Sequence, residues 1–260
     1  MTNKNPIGII DSGVGGLTVV KELQTLLPDE DIIYFGDNKN VPYGSKSQEE
    51  IISLTKKMLD FLVEHNVKLV GVGCNTISTV LNLINPDYDL KIIGIVDPTV
   101  KYIAKLPGKK VGLIATPFTV NSKYYNQTLA SIDNTKELVS EGCPQLATLI
   151  DRGDFNQEEL KKEVEKHITP IVTNHAINSI VLGCTHYPII LDLLKEYYPG
   201  INFINPAFYQ AMAMKEYLTE NNLLANNNSY FEVYTTGDRE KYQLLIKMLN
   251  LKEPDKITKL

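Results

Sequence analysis

The chain has 260 residues, 43% of them hydrophobic and 22% charged, which is the composition of a globular protein with one large domain or two smaller ones. Its formal net charge of -5 at pH 7 argues against a nucleic acid or an anionic membrane surface as partner, because both are bound through basic patches. No apolar run is long enough for a transmembrane helix, and the first six residues lack the apolar core of a signal peptide, so we expect a cytoplasmic protein.

Short apolar runs alternate with longer amphipathic segments, which is typical of an α/β fold. The predicted strands of the first part of the chain are 7–10, 31–35, 67–72 and 91–96. Residues 47–65 predict a helix, with Ser47 as its N-cap and Glu50 completing a capping box. This order of elements predicts a mostly parallel sheet.

The pattern starts again in the second part of the chain. Residues 110–115 resemble 6–11 in apolar content and glycine position, and residues 178–184 resemble 68–74. Because both pairs keep their order, we predict two similar domains, each with a mostly parallel sheet flanked by helices and related by pseudo-two-fold symmetry. The active site is expected in the cleft between them.

Three more helices and one more strand complete the prediction. They are helices at 157–174 with Asn156 as N-cap, at 206–220 and from about 239, and a strand at 230–235. The chain is expected to cross between domains near residues 97 and 205. The predicted first domain therefore comprises residues 1–96 plus 206–260, and the second comprises 97–205.

The chain contains three cysteines, Cys74, Cys143 and Cys184. An odd number without a CxxC pair indicates free thiols and argues against a structural zinc site. Cys143 is interpreted as a buried small hydrophobic side chain. Cys74 and Cys184 each follow a glycine at the predicted end of a strand, where open α/β sheets bind their ligands. If the two halves face each other, both thiols point into one cleft from opposite sides.

Two opposed thiols suit the inversion of a stereocentre. One proton must be removed from one face of the carbon and another delivered to the opposite face, which a thiolate and a thiol can do together. A free thiol has a pKa of about 8.5 and can be tuned to act near neutral pH. The alternative is a non-catalytic binding protein or a thiol redox sensor on the same scaffold, whose binding would survive replacement of either cysteine.

Other polar residues sit beside the predicted strand ends. Asp11 needs a partner such as an ammonium group or a thiol, although Asp11 and Ser12 could instead cap the next helix. The glycines at 11–16 lack the GxGxxG spacing, so no nucleotide cofactor is expected. The turn at 42–45 can present N–H groups to a carboxylate or can be an ordinary surface turn. His186 is interpreted as a proton partner of the nearby thiol, or as a structural histidine.

Five ordered blocks carry a resemblance to a known family. They are IGIIDSGVGGLTV at 7–19, VPYGSKS at 41–47, GCNT at 73–76, GLIATPFTVNSKYY at 112–125 and VLGCTHYP at 181–188. Through these blocks the chain resembles the aspartate/glutamate racemase family over nearly its whole length. His186 favours the glutamate branch, because aspartate racemases typically have Glu at that position.

The resemblance implies a cofactor-independent racemase that interconverts L- and D-glutamate and supplies D-glutamate for peptidoglycan synthesis. It implies that neither pyridoxal phosphate nor a metal takes part. It also implies a homodimer, since members of the family are often dimers, in more than one arrangement. Another acidic amino acid, such as aspartate, is the alternative substrate.

The resemblance also assigns site residues. It implies Cys74 and Cys184 as the two acid/base residues, with His186 assisting Cys184. The other implied residues are Asp11 and Ser12 near the substrate ammonium group and the first cysteine, Tyr43 and Gly44 at the side-chain carboxylate, and Asn75, Thr76 and Thr185 at the α-carboxylate and amine. Thr116 and Thr119 are further candidates from the second half.

The chain departs from the family pattern at three positions. Asn40 stands where the family usually has Arg, and Asp97 and Asp151 stand where it usually has Glu. Each aspartate keeps the charge and shortens the side chain by one methylene. We expect these two residues to support His186 or the domain junction.

Overall fold

The strands of the protein form two sheets. The structure, a computed structural model, describes residues 4–153, 158–226 and 229–260. The strands are β1 (Ile7–Asp11), β2 (Ile32–Gly36), β3 (Leu69–Val72), β4 (Ile92–Gly94), β5 (Lys110–Ala115), β6 (Glu137–Gly142), β7 (Ser179–Gly183), β8 (Asn202–Ile204), β9 (Phe231–Thr235) and β10 (Lys256–Lys259). The helices are α1 (Leu17–Leu26), α2 (Gln48–Glu64), α3 (Asn75–Ser78), α4 (Val96–Ile103), α5 (Pro117–Asn121), α6 (Tyr124–Ile132), α7 (Leu146–Asp151), α8 (Glu158–His175), α9 (Leu191–Tyr197), α10 (Pro206–Glu220) and α11 (Arg239–Met248).

Both sheets are parallel and share one strand order. The first sheet runs β10-β9-β2-β1-β3-β4 and the second runs β6-β5-β7-β8. The segment β2-β1-β3-β4 therefore recurs as β6-β5-β7-β8, with each strand of the first half matched by its counterpart in the second. This recurrence confirms the predicted pair of similar α/β domains.

The register brings the carboxyl ends of the central strands together. Ile10 pairs with both Phe35 and Val72 in the first sheet, and Ala115 pairs with both Gly142 and Gly183 in the second. The residues that follow β1, β3 and β7 therefore emerge at the same edge of their sheets. Ligands of parallel α/β sheets bind at this edge.

Helix α10 packs between the two sheets. It contacts α1 and α4 and reaches strands β3 and β7. One apolar cluster consequently includes Ile9 of β1, Met214 of α10 and Leu113 of β5, all fully buried. The two sheets thus share a hydrophobic core. The exact domain boundaries, at 96/97 and 205/206, stay predictions.

Most predicted elements are present, with one correction at β4. The predicted strand 91–96 ends at Gly94, and Val96 begins α4, so Asp97 and Pro98 lie in the first turn of a helix. An acidic side chain is favourable there and a proline is tolerated. The capping box is confirmed, since Ser47 Oγ accepts from the Glu50 N–H at 3.2 Å and Glu50 Oε2 accepts from the Ser47 N–H at 2.9 Å. The predicted cap Asn156 lies outside the described residues.

Within the described ranges, none of the helices is both long and apolar enough to cross a membrane.

Candidate active site

A cavity of about 290 Å³ lies beyond the carboxyl ends of β1, β3 and β7. The predicted site residues that line it are Ser12, Tyr43, Gly44, Cys74, Asn75, Thr76, Cys184, Thr185 and His186. Asp11 is the one site residue assigned by the family resemblance that is not in its wall. The cavity lies between the two domains, because β1 and β3 belong to the first sheet and β7 to the second.

Cys74 lies at the end of β3, as the N-cap of the short helix α3. Its Sγ is 3.5 Å from Ser12 Oγ, and the residue is 5% exposed. Burial and then the negative charge of Asp11 raise the pKa of the Cys74 thiol to about 12, against a smaller opposing effect of Ser12. Cys74 is therefore a protonated thiol at neutral pH in this structure.

Asp11 lies behind the cavity wall, fully buried at the end of β1. Its carboxylate accepts hydrogen bonds from the Gly13 N–H at 2.8 Å and from Thr185 Oγ1 at 3.1 Å. Burial raises the pKa of Asp11, while the positive charge of His186 opposes the shift. Through Thr185, Asp11 connects the first strand of one sheet to the loop after β7 in the other.

Three charged side chains, those of Lys241, Asp151 and His186, form a row of contacts that ends at the Cys184 thiol. Cys184 Sγ lies 3.8 Å from His186 Nδ1, and His186 Nε2 lies 3.6 Å from Asp151 Oδ1. The other oxygen of Asp151 accepts a hydrogen bond from Lys241 Nζ at 2.5 Å. These contacts agree with the expectation that Asp151 supports His186.

The charges in this row follow from the contacts. Burial lowers the pKa of His186, but the contacts with Asp151 and Cys184 outweigh it and raise the pKa to about 10. Burial likewise raises the pKa of Asp151, but His186 and Lys241 outweigh it and lower the pKa to about 2. At neutral pH, Asp151 is therefore a carboxylate and His186 is an imidazolium.

The loop at 37–44 covers the cavity from the first domain. Tyr43 donates its hydroxyl proton to Asp37 Oδ2 at 2.7 Å, so that proton is not available to a substrate carboxylate. Asp37 also accepts from Asn40 Nδ2 at 2.9 Å, which gives this departure from the family pattern a structural role. A Cβ atom on Gly44 would lie 3.1 Å from Thr116 Cβ, so a side chain at this position would crowd the opposite domain.

Asn75 and Thr76 line the wall next to Cys74. Asn75 Oδ1 accepts a hydrogen bond from the Tyr125 hydroxyl at 2.7 Å, while its Nδ2 group has no hydrogen-bond partner among the described residues. Thr76 Oγ1 lies 3.1 Å from Thr116 Oγ1 and 3.3 Å from Thr119 Oγ1. Of the two further candidates, Thr116 lines the cavity and Thr119 lies behind it.

Not every residue of the cavity wall was predicted from the sequence. Asn38, Thr148 and Asp151 line the cavity without having been predicted as site residues. Asp151 carried a signal as a departure from the family pattern. Tyr242 carried none, yet its hydroxyl contacts the Gly13 carbonyl oxygen at 3.2 Å and also Asn38 Oδ1.

The Asp97 departure lies at a contact between two helices. The Tyr124 hydroxyl at the start of α6 donates a hydrogen bond to the Asp97 carboxylate at 3.2 Å.

Over residues 4–153, 158–226 and 229–260, no group of three or more His, Cys, Asp or Glu side chains is arranged to hold a metal ion.

The raised pKa of His186 predicts a pH dependence of stability. We expect the free energy of unfolding of the wild-type protein to fall, relative to that of His186→Asn, as the pH rises from 6.5 towards about 10. In this range the folded protein holds a proton that the unfolded chain releases. The stabilisation is complete below 6.5 and is lost as the pH passes the folded value. Urea titrations at several pH values measure the difference.

His175→Asn, at the exposed end of α8, is the control for removing a histidine. It should keep the wild-type pH dependence. Equal pH slopes for wild type and His186→Asn would contradict the charged state of His186.

Comparison with known proteins supports one family. A family model described as Asp/Glu/hydantoin racemase matches residues 7–213. A glutamate racemase of Carboxydothermus hydrogenoformans is 38% identical over 92% of this chain and 89% of its own length. The crystal structure of a glutamate racemase isoform from Bacillus anthracis has a TM-score of 0.91 at 30% identity, covering 98% of this chain and 97% of its own. The crystal structure of the Francisella tularensis glutamate racemase in complex with D-glutamate has a TM-score of 0.90 at 31% identity, and the match covers 99% of this chain and 97% of its own.

Proposed function

The chain belongs to the Asp/Glu/hydantoin racemase family, and we propose that it interconverts L- and D-glutamate by proton transfer through Cys74 and Cys184. The observation that carries the proposal is that both thiols line one cavity. They come from strands β3 and β7, which occupy equivalent positions in the two sheets. An α-carbon bound between two such thiols can lose its proton to one sulfur and gain a proton from the other.

The charges around the two sulfur atoms support an order of events. The imidazolium of His186 lies 3.8 Å from the Cys184 sulfur, where it can stabilise the negative charge that this sulfur carries when it acts as the base. Cys74 is a thiol, held protonated by burial and by the charge of Asp11. In this state the Cys184 thiolate removes the α-proton and the Cys74 thiol delivers one to the opposite face. The enzyme then holds a Cys184 thiol and a Cys74 thiolate, which is the state that processes the other enantiomer.

The cavity wall offers groups that match an amino acid. Asn75 Nδ2 is an unused donor and suits a carboxylate oxygen. Thr185 gives its proton to Asp11, so its oxygen lone pairs remain for an ammonium group. Loss of the α-proton moves charge onto the α-carboxylate, and donors fixed around that group stabilise the transition state.

The identity of the substrate rests on the relatives. Proteins named glutamate racemase match most of the chain, and one solved relative binds D-glutamate. We extend the proposal, on the same support, to a cofactor-independent reaction in the cytoplasm, to a homodimer and to the supply of D-glutamate for peptidoglycan synthesis.

A substrate panel tests the proposal. Purified protein is incubated with the L-forms of glutamate, aspartate, glutamine and alanine, and each D-enantiomer is measured by chiral chromatography. We expect D-glutamate as the main product, with no added cofactor and with no loss of activity in EDTA. D-aspartate as the main product would establish the alternative substrate. No D-amino acid at all, with binding that survives Cys74→Ala, would favour the non-catalytic alternative.

A further inference from the structure

We propose that Lys241 is a positioning residue for proton transfer at Cys184, acting through Asp151 and His186. The inference rests on the proposed two-thiol function and adds a residue from outside the motifs that carry the family resemblance. In this proposal the two thiols are not equivalent, because Lys241 acts on Cys184 and not on Cys74.

The contacts form a continuous path from one domain to the other. Lys241 lies in the first turn of α11, which follows strand β9 of the first sheet. Asp151 is the last residue of α7 and faces His186 in the loop after β7 of the second sheet. Lys241 Nζ contacts one oxygen of Asp151 at 2.5 Å, and the other oxygen is 3.6 Å from His186 Nε2. His186 Nδ1 then faces the sulfur of Cys184 at 3.8 Å.

The weak contact in this path is the one between Asp151 and His186. Its 3.6 Å separation is longer than a good hydrogen bond, so the imidazole alone does not fix the carboxylate. Lys241 holds the other oxygen, and the short aspartate side chain leaves little room for compensation. Without the lysine, we expect the carboxylate to rotate towards solvent and to stop orienting the imidazole.

A second contact of α11 supports this role. The hydroxyl of Tyr242, the next residue, contacts the Gly13 carbonyl oxygen and also Asn38, which lines the cavity from the first domain. Helix α11 therefore touches the first-domain wall through Tyr242 and the second domain through Lys241. The sulfur of Cys74 instead lies beside Ser12 Oγ, so we expect Lys241→Met to leave that thiol unaffected.

The lysine is a suitable position for mutation. Its side chain is 42% exposed and that of Asp151 is 22% exposed, and such partly exposed ion pairs contribute little to folding. Lys241→Met should therefore fold normally. Lys241→Arg keeps the charge and serves as the rescue variant, and Lys247→Met on the exposed face of the same helix is the control.

Ordinary racemisation kinetics cannot separate the two thiols. Two enantiomers have equal free energy in water, so the equilibrium constant is one and kcat/KM must be equal in both directions. Variants that keep only one of the two cavity cysteines avoid this equality of rates, because each variant reports on one thiol. In its deprotonated form the remaining cysteine removes the α-proton of one enantiomer, exchanges that proton for a solvent deuteron and returns the deuteron to the same face.

The experiment measures α-proton exchange of L- and D-glutamate in D₂O by NMR in Cys74→Ala and in Cys184→Ala, each with and without Lys241→Met. We expect Lys241→Met to slow exchange by about tenfold in Cys74→Ala, where Cys184 acts, in keeping with loss of a charged hydrogen bond. In Cys184→Ala the change should not exceed about twofold, as for an exposed charge. Lys241→Arg should recover most of the rate, and Lys247→Met should have no effect. Equal slowing in both backgrounds, or none in Cys74→Ala, would overturn the proposal.

The two-cysteine protein gives a second measurement. Lys241→Met should lower kcat/KM for glutamate by about tenfold, but by no more than about twofold when Asp151→Asn is already present. A tenfold loss in both backgrounds would show that Lys241 does not act through Asp151. A wild-type protein that forms no D-glutamate would overturn the proposed function itself, whatever the Lys241 variants do.

Discussion

Cys74→Ala and Cys184→Ala are each expected to lower the rate of glutamate racemisation by at least about a thousandfold. Each substitution removes the group that serves one face of the α-carbon, and alanine neither accepts nor donates a proton. The steady-state appearance of D-glutamate from L-glutamate measures the loss. Circular dichroism and the melting temperature establish that the variants are folded.

Cys143→Ala is the matched control for removing a buried thiol. Cys143 is 1% exposed, and burial raises the pKa of its thiol. It packs in the core of the second domain with Leu146 and Ile180 and does not line the cavity. We expect the racemase activity of Cys143→Ala to stay close to that of the wild-type protein. Full turnover by Cys74→Ala or by Cys184→Ala would contradict the two-thiol mechanism.

Gly15→Ala is expected to lower kcat/KM by about a hundredfold, because the closure of the cleft leaves no room for a methyl group there. A Cβ atom on Gly15 would lie 2.5 Å from Thr185 Oγ1, 2.8 Å from His186 Nδ1 and 3.0 Å from the Thr185 carbonyl carbon. The backbone contact cannot be relieved by rotating a side chain. The loop after β7 must therefore move, and with it the hydrogen bond from Thr185 to Asp11 and the approach of His186 to Cys184.

Racemase kinetics and a melting curve check this prediction together. Gly200→Ala is the control, since a Cβ atom on Gly200 meets nothing within 4 Å. We expect Gly200→Ala to retain activity and Gly15→Ala to lose it while remaining folded. Wild-type activity in Gly15→Ala would mean that the two domains do not approach as closely as the structure has them.

The parts of the fold that depend on local patterns were predictable. The Ser47 capping box needs only residues three apart, and strands such as β1 and β7 are continuous apolar runs. The polar strands were not predictable in this way. β6 has the sequence ELVSEG and β10 the sequence KITK, and each forms because a neighbouring strand offers an edge to pair with.

The residues of the candidate site likewise divide into those that local patterns predict and those that depend on distant contacts. Cys74 and Cys184 could be placed at one cleft because the carboxyl ends of equivalent parallel strands meet there. The position of Asp11 behind the wall depends on the Thr185 hydroxyl, 174 residues away, and the use of the Tyr43 hydroxyl depends on the buried Asp37. Lys241 reaches Asp151 from a helix 90 residues further along the chain, a contact that only the folded chain creates.

The most direct test of the two-thiol account is the time course of deuterium at Cα when L-glutamate and the wild-type protein are incubated in D₂O. Because one thiol removes the proton and the other delivers a solvent-derived deuteron, early D-glutamate should carry deuterium while unreacted L-glutamate keeps its proton. Deuterium that enters L-glutamate as fast as D-glutamate forms would indicate a single base serving both faces, and would contradict the account.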